Sequence, residues 1–90
     1  MVMLVLAACT TGPPVQEMSD ARQAIAVARE AGAADLAPDA FGAAEAYLAS
    51  AQRKLSEKAY KQARNDAVQA KNMALHALAS AEQSSPVNPR

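Results

Sequence analysis

The sequence predicts an all-α fold, a two- or three-helix antiparallel hairpin or bundle with an alanine-rich seam. Three observations predict it. Alanine, the best helix former, fills 24 of the 90 positions, and only three residues are aromatic. Apolar side chains recur at three- and four-residue steps through long stretches of chain, the period of a helix face. Between Ala43 and Ser85 there is neither glycine nor proline to interrupt a helix. The hydrophobic share of 51% is about half alanine, and beyond position 9 there are 15 Val, Ile, Leu, Met, Phe and Tyr side chains. So little large apolar surface makes a solitary folded monomer marginal, and a protein partner or self-association is expected.

Met1 to Ala8 reads M-V-M-L-V-L-A-A, an uncharged apolar run far shorter than the roughly 20 residues that span a bilayer as a helix. It has the form of a signal-peptide core closed by small residues. With the next residue it gives Leu6-Ala7-Ala8-Cys9, which resembles the lipobox of bacterial lipoproteins. That resemblance implies removal of residues 1–8 and acylation of Cys9, the one cysteine, which has no partner for an internal disulfide. A signal peptide ordinarily opens with positive charge, so the expected translation start lies upstream of Met1. Residues 9–14, Cys9-Thr10-Thr11-Gly12-Pro13-Pro14, read as the lipidated cysteine and a helix-breaking tether. Thr10, where aspartate would favour inner-membrane retention, implies by resemblance to enterobacterial sorting an anchor in the outer membrane, on its periplasmic face.

The helical domain is expected over residues 15–83. Met18, Ala21, Ile25 and Ala28 step 3-4-3 along one face of a first helix at about 15–31, with Glu17 and Asp20 near its positive end and Gly32 as a left-handed cap. Ala33 to Pro38 forms a turn, because the residue before a proline avoids helical conformation, and Pro38 suits the start of the next helix. Phe41, Ala44, Leu48, Ala51 and Leu55 then step 3-4-3-4. A second series, Tyr60, Ala63, Ala67, Ala70, Ala74, Ala77 and Ala81, steps 3-4-3-4-3-4, out of phase with the first by a five-residue gap. One continuous helix could join them through Ala59, but a turn around Ser56-Glu57-Lys58 aims the second stripe back at the first. That turn gives helices at about 38–56 and 59–83. The junction Lys54 to Ala70 resembles a tetratricopeptide hairpin in which Ser-Glu-Lys-Ala-Tyr replaces a glycine-bearing turn. Residues 84–90 form a polar, proline-bearing tail expected to be disordered.

Function is less legible. Nine Lys plus Arg balance nine Asp plus Glu, which gives no whole-molecule attraction to nucleic acid. His76 is the single histidine and has no partner at metal-ligand spacing, Asp66 is the only carboxylate between Lys58 and Glu82, and no nucleophile triad or phosphate-cradling loop occurs. No enzyme and no cofactor is therefore expected. Charge is segregated: residues 1–50 hold six acidic and two basic side chains, residues 51–90 three acidic and seven basic. Arg53, Lys54, Lys58, Lys61 and Arg64 cluster at the proposed turn. They either pair with the acidic first helix or meet solvent, or they offer a site to an anionic partner or lipid headgroup.

The Ala21-Arg22-Gln23-Ala24-Ile25 run with Ala28, Gly32-Ala33 with Ala37-Pro38, and Leu55 with Tyr60, Ala63, Ala67 and Ala70 together resemble the small bacterial lipoproteins that carry the domain of unknown function 4398. The resemblance covers roughly residues 9–83 and implies an alanine-rich helical lipoprotein without supplying an activity. The function expected is an outer-membrane-anchored scaffold or adaptor for protein contacts, the alternative an envelope lipid- or cell-wall-binding module that uses the basic tip.

Overall fold

The computed structural model describes residues 12–84; the apolar leader, Cys9, the start of the tether and the polar tail lie outside the described residues. The described residues form four helices and no strand: α1 (Val15–Glu30), α2 (Ala33–Leu36), α3 (Pro38–Ser56) and α4 (Tyr60–Ser84).

Each boundary has a local cause. Ahead of α1, Pro14 is buried and its carbonyl accepts the Met18 N–H at 3.0 Å, so the last tether residue belongs to the fold. Helix α1 ends where Gly32 takes φ 84°, a conformation open to glycine without a Cβ clash. The segment expected as a plain turn contains the single helical turn α2, closed by Ala37 N–H donating to the Ala33 carbonyl at 2.8 Å. Ala37 then takes φ −142° and ψ 59°, outside the helical region that a following proline disfavours, and Pro38 opens α3, where its missing N–H costs nothing.

The α3–α4 connection is tighter and has no glycine. Lys58 N–H donates to the Leu55 carbonyl and Ala59 N–H to the Lys54 carbonyl, both at 2.9 Å, the paired bonds of a Schellman cap. That cap requires a left-handed residue, and Lys58 supplies it with φ 64°. The chain doubles back as the phase shift between the stripes requires, and α3 and α4 are separate helices.

Packing follows the stripes. Helix α4 buries Ala63, Ala67, Ala70, Ala74, Ala77 and Ala81 completely, with Tyr60 half-buried at its start. Facing it, α3 buries Phe41, Ala44 and Ala51 and half-buries Leu48 and Leu55, while α1 buries Met18, Ala21, Ala24, Ile25 and Ala28. Met18 clusters with Ala51 and Ala67, whereas Ile25 and Ala28 cluster with Phe41, Ala44, Ala74, Ala77 and Ala81. Helices α1 and α4 therefore run parallel, with α3 antiparallel to both. The result is an up-down-up bundle in which α4 packs against both other long helices and α1 touches α3 less.

The charged hairpin tip as candidate functional site

The reversal at Lys58 gathers the five sequence-predicted cations. Arg53 and Lys54 occupy the last turn of α3, where they complement the negative helix end, and Lys61 and Arg64 fall at the start of α4. Their environments differ. Lys54 Nζ lies 3.0 Å from Asp66 Oδ2, and the Ser50 hydroxyl donates to the same oxygen at 2.6 Å. The Ser50 hydrogen bond, followed by the hydrogen bond and charge of Lys54 and the charge of Arg53, holds the Asp66 carboxyl below its ordinary value of 3.8 against the opposing effect of burial.

Arg64 also turns inward. Its Nε lies 3.3 Å from Glu17 Oε2 on α1, and its Nη2 donates to the Gly12 carbonyl at 3.1 Å. Arg64 thus fastens the entry of the chain to the start of α4. The other three cations, Arg53, Lys58 and Lys61, are exposed, and among the described residues none has a carboxylate within 4.0 Å. Among the described residues the Arg53 guanidinium makes one hydrogen bond, to the Ser50 hydroxyl at 3.5 Å.

Two residues that the sequence reading did not single out shape the opposite end. Arg29 pairs with Glu45 at 3.0 Å while its guanidinium sits 5.4 Å from the centre of the buried Phe41 ring, so one side chain closes the bundle by charge and by cation–π attraction. A shallow groove between α1 and α4 is lined by Asp20, Gln23, Ala24, Val27, Lys71 and Leu75, with Val27 and Leu75 nearly half exposed. Exposed Val68 precedes Lys71 by three residues and Leu75 by seven, on the same face of α4. His76 is exposed beside Pro38 and Ala40, and no group of three metal-capable side chains occurs among the described residues. No described helix is long and apolar enough to cross a membrane.

These features define a small all-α domain, a three-helix bundle built on an alanine seam with a cationic tip. Its sequence matches the family model described as Domain of unknown function (DUF4398) over residues 16–85, a span that takes in all three long helices, and the chain belongs to that family. Comparison with curated proteins and with solved structures finds no match.

Proposed function

We propose that this domain is the helical body of a bacterial envelope lipoprotein, held by acylated Cys9 on the periplasmic face of the outer membrane, and that it serves as a scaffold or adaptor for protein contacts. The observation that carries the reading is Leu6-Ala7-Ala8-Cys9 standing five residues ahead of Pro14, the first buried residue of the bundle. A peptidase site that accepts small residues accounts for Ala7 and Ala8, and a thiol that accepts a diacylglyceryl group accounts for Cys9. Two or more acyl chains make a stable anchor where one does not. The contact role draws support from the apolar strip of Val27, Val68 and Leu75, which the bundle leaves uncovered beside its α1/α4 groove.

The test is the mass of the N-terminal peptide from protein extracted from bacterial membranes. A peptide that begins at Cys9 and carries the mass of its acyl chains is expected, with the Cys9→Ser variant left unprocessed or soluble. Unmodified Cys9 with residues 1–8 still attached overturns the reading. Protein contact through the strip predicts a melting temperature that rises with protein concentration as mass action requires, and Leu75→Glu removes that rise.

A further inference from the structure

The entry of the chain and the hairpin tip share one end of the bundle. Met18, at the start of α1, packs in one cluster with Ala51 and Ala67, beside Leu55, and Arg64 reaches both Glu17 and the Gly12 carbonyl. Gly12 follows Cys9 by three residues, and three residues span at most about 11 Å. Whatever holds Cys9 therefore also holds Arg53, Lys58 and Lys61 close by.

Charge is polarised along the bundle in the matching sense. At the tip, five cations (Arg53, Lys54, Lys58, Lys61, Arg64) stand against three carboxylates (Glu17, Glu57, Asp66), and two of the cations are already paired. At the far end, among the described residues, five carboxylates (Glu30, Asp35, Asp39, Glu45, Glu82) stand against Arg29. A surface of negative charge attracts the first end and repels the second.

The geometry points to a membrane-docking surface: Arg53, Lys58 and Lys61 rest on the headgroups of anionic phospholipids beside the anchor, so that the bundle stands on its tip with the acidic end away from the bilayer. The partner is the lipid surface itself. Its headgroups present phosphate oxygens to long side chains free to reach them, and Lys58, fixed at the apex by its left-handed cap, leads. The inference rests on Cys9 as the membrane anchor for its setting in the cell, whereas the headgroup contact can be measured without the anchor.

The experiment uses the full chain carrying Cys9→Ser, which cannot be acylated, in sedimentation with vesicles of phosphatidylcholine alone or phosphatidylcholine mixed with phosphatidylglycerol. The apolar leader acts on both vesicle types, so the signal is the excess binding to the anionic ones. Replacing Arg53, Lys58 and Lys61 together by Gln is expected to lower affinity for anionic vesicles by on the order of 100-fold, about fivefold per residue, with little change on neutral ones. Glu57→Lys is expected to strengthen anionic binding several-fold, and Asp35→Lys, an identical change of net charge at the far end, to leave it nearly unaltered. All five positions are exposed, and circular dichroism checks that each variant stays helical. Equal binding of the triple variant and its parent, or equal gains from Glu57→Lys and Asp35→Lys, overturns the inference. The mass of the native N-terminal peptide is read separately, so a failed anchor and a failed tip give different results.

Discussion

The six side chains that α4 buries completely are all alanine, with Tyr60, Met73 and Leu78 half-buried beside them, whereas α1 and α3 bury the large side chains Met18, Ile25 and Phe41 and half-bury Leu48 and Leu55. The two sides of the interface divide the work. Alanine lets helix backbones approach toward the short end of the 8–10 Å interaxial range, which fixes the geometry but removes little apolar area from water. The larger side chains supply most of that area, at roughly 1.5–3 kcal/mol for each one fully buried. Truncation should therefore hurt on α1 and α3, and enlargement on α4.

The largest effect expected from this asymmetry is at Phe41, which is 5% exposed and also carries the Arg29 contact. Phe41→Ala should cost about 3–5 kcal/mol, comparable to the whole stability of a small domain, and chemical denaturation followed by circular dichroism should find little folded protein. A loss under about 1 kcal/mol would place the stabilising area elsewhere. Next comes the opposite change on α4. Ala67→Leu forces a longer side chain into a fully buried site and should cost about 1–3 kcal/mol or alter the oligomeric state, whereas exposed Gln69→Leu should stay within about 0.5 kcal/mol. If the two variants melted alike, α4 would not be in close contact along this stripe.

A smaller effect of opposite sign is expected at the turn. The first reversal uses Gly32 at φ 84°, but the second holds Lys58 at φ 64°, a strained position for a residue with a Cβ. Lys58→Gly should stabilise the bundle by about 1 kcal/mol, read as a higher denaturation midpoint, and Gly32→Ala should destabilise it.

The smallest expected effect is a pH dependence at Asp66. Its folded carboxyl lies below the ordinary 3.8, so in acid the unfolded chain binds the proton more readily. The stabilisation is complete above the unfolded value and is lost as pH falls through the folded one. Asp66→Asn should flatten that acid limb in a series of urea titrations, and Ser50→Ala should shift it toward higher pH. An acid limb unchanged in Asp66→Asn would assign it to other carboxylates.

Much of this architecture was readable from the punctuation and phase of the sequence. Gly32 and Pro38 bracket one reversal, and the five-residue gap between Leu55 and Tyr60 marks the other even though no glycine stands there. Helix α2 was hidden because its four residues lie between breakers and are too few for a period to show. The Asp66 site needed the hairpin register. Ser50 and Asp66 each lie eight residues from Lys58, so once Lys58 is taken as the apex they face one another across the hairpin. The direction of α1 was beyond reach, because stripes built of alanine fit a neighbour in either orientation. Arg64 meets a backbone carbonyl at Gly12, a kind of partner that leaves no trace in residue identity.

The parallel course of α1 and α4 has a consequence for reach. With three long helices, an odd number, the chain enters at one end and leaves α4 at the other. The 25 residues of α4 rise roughly 37 Å at 1.5 Å each. Whatever follows Ser84 thus starts about one small-domain diameter away from the entry end. A reporter or affinity handle added there would sit clear of the tip, and its distance from a supporting surface would measure the tilt of the bundle directly.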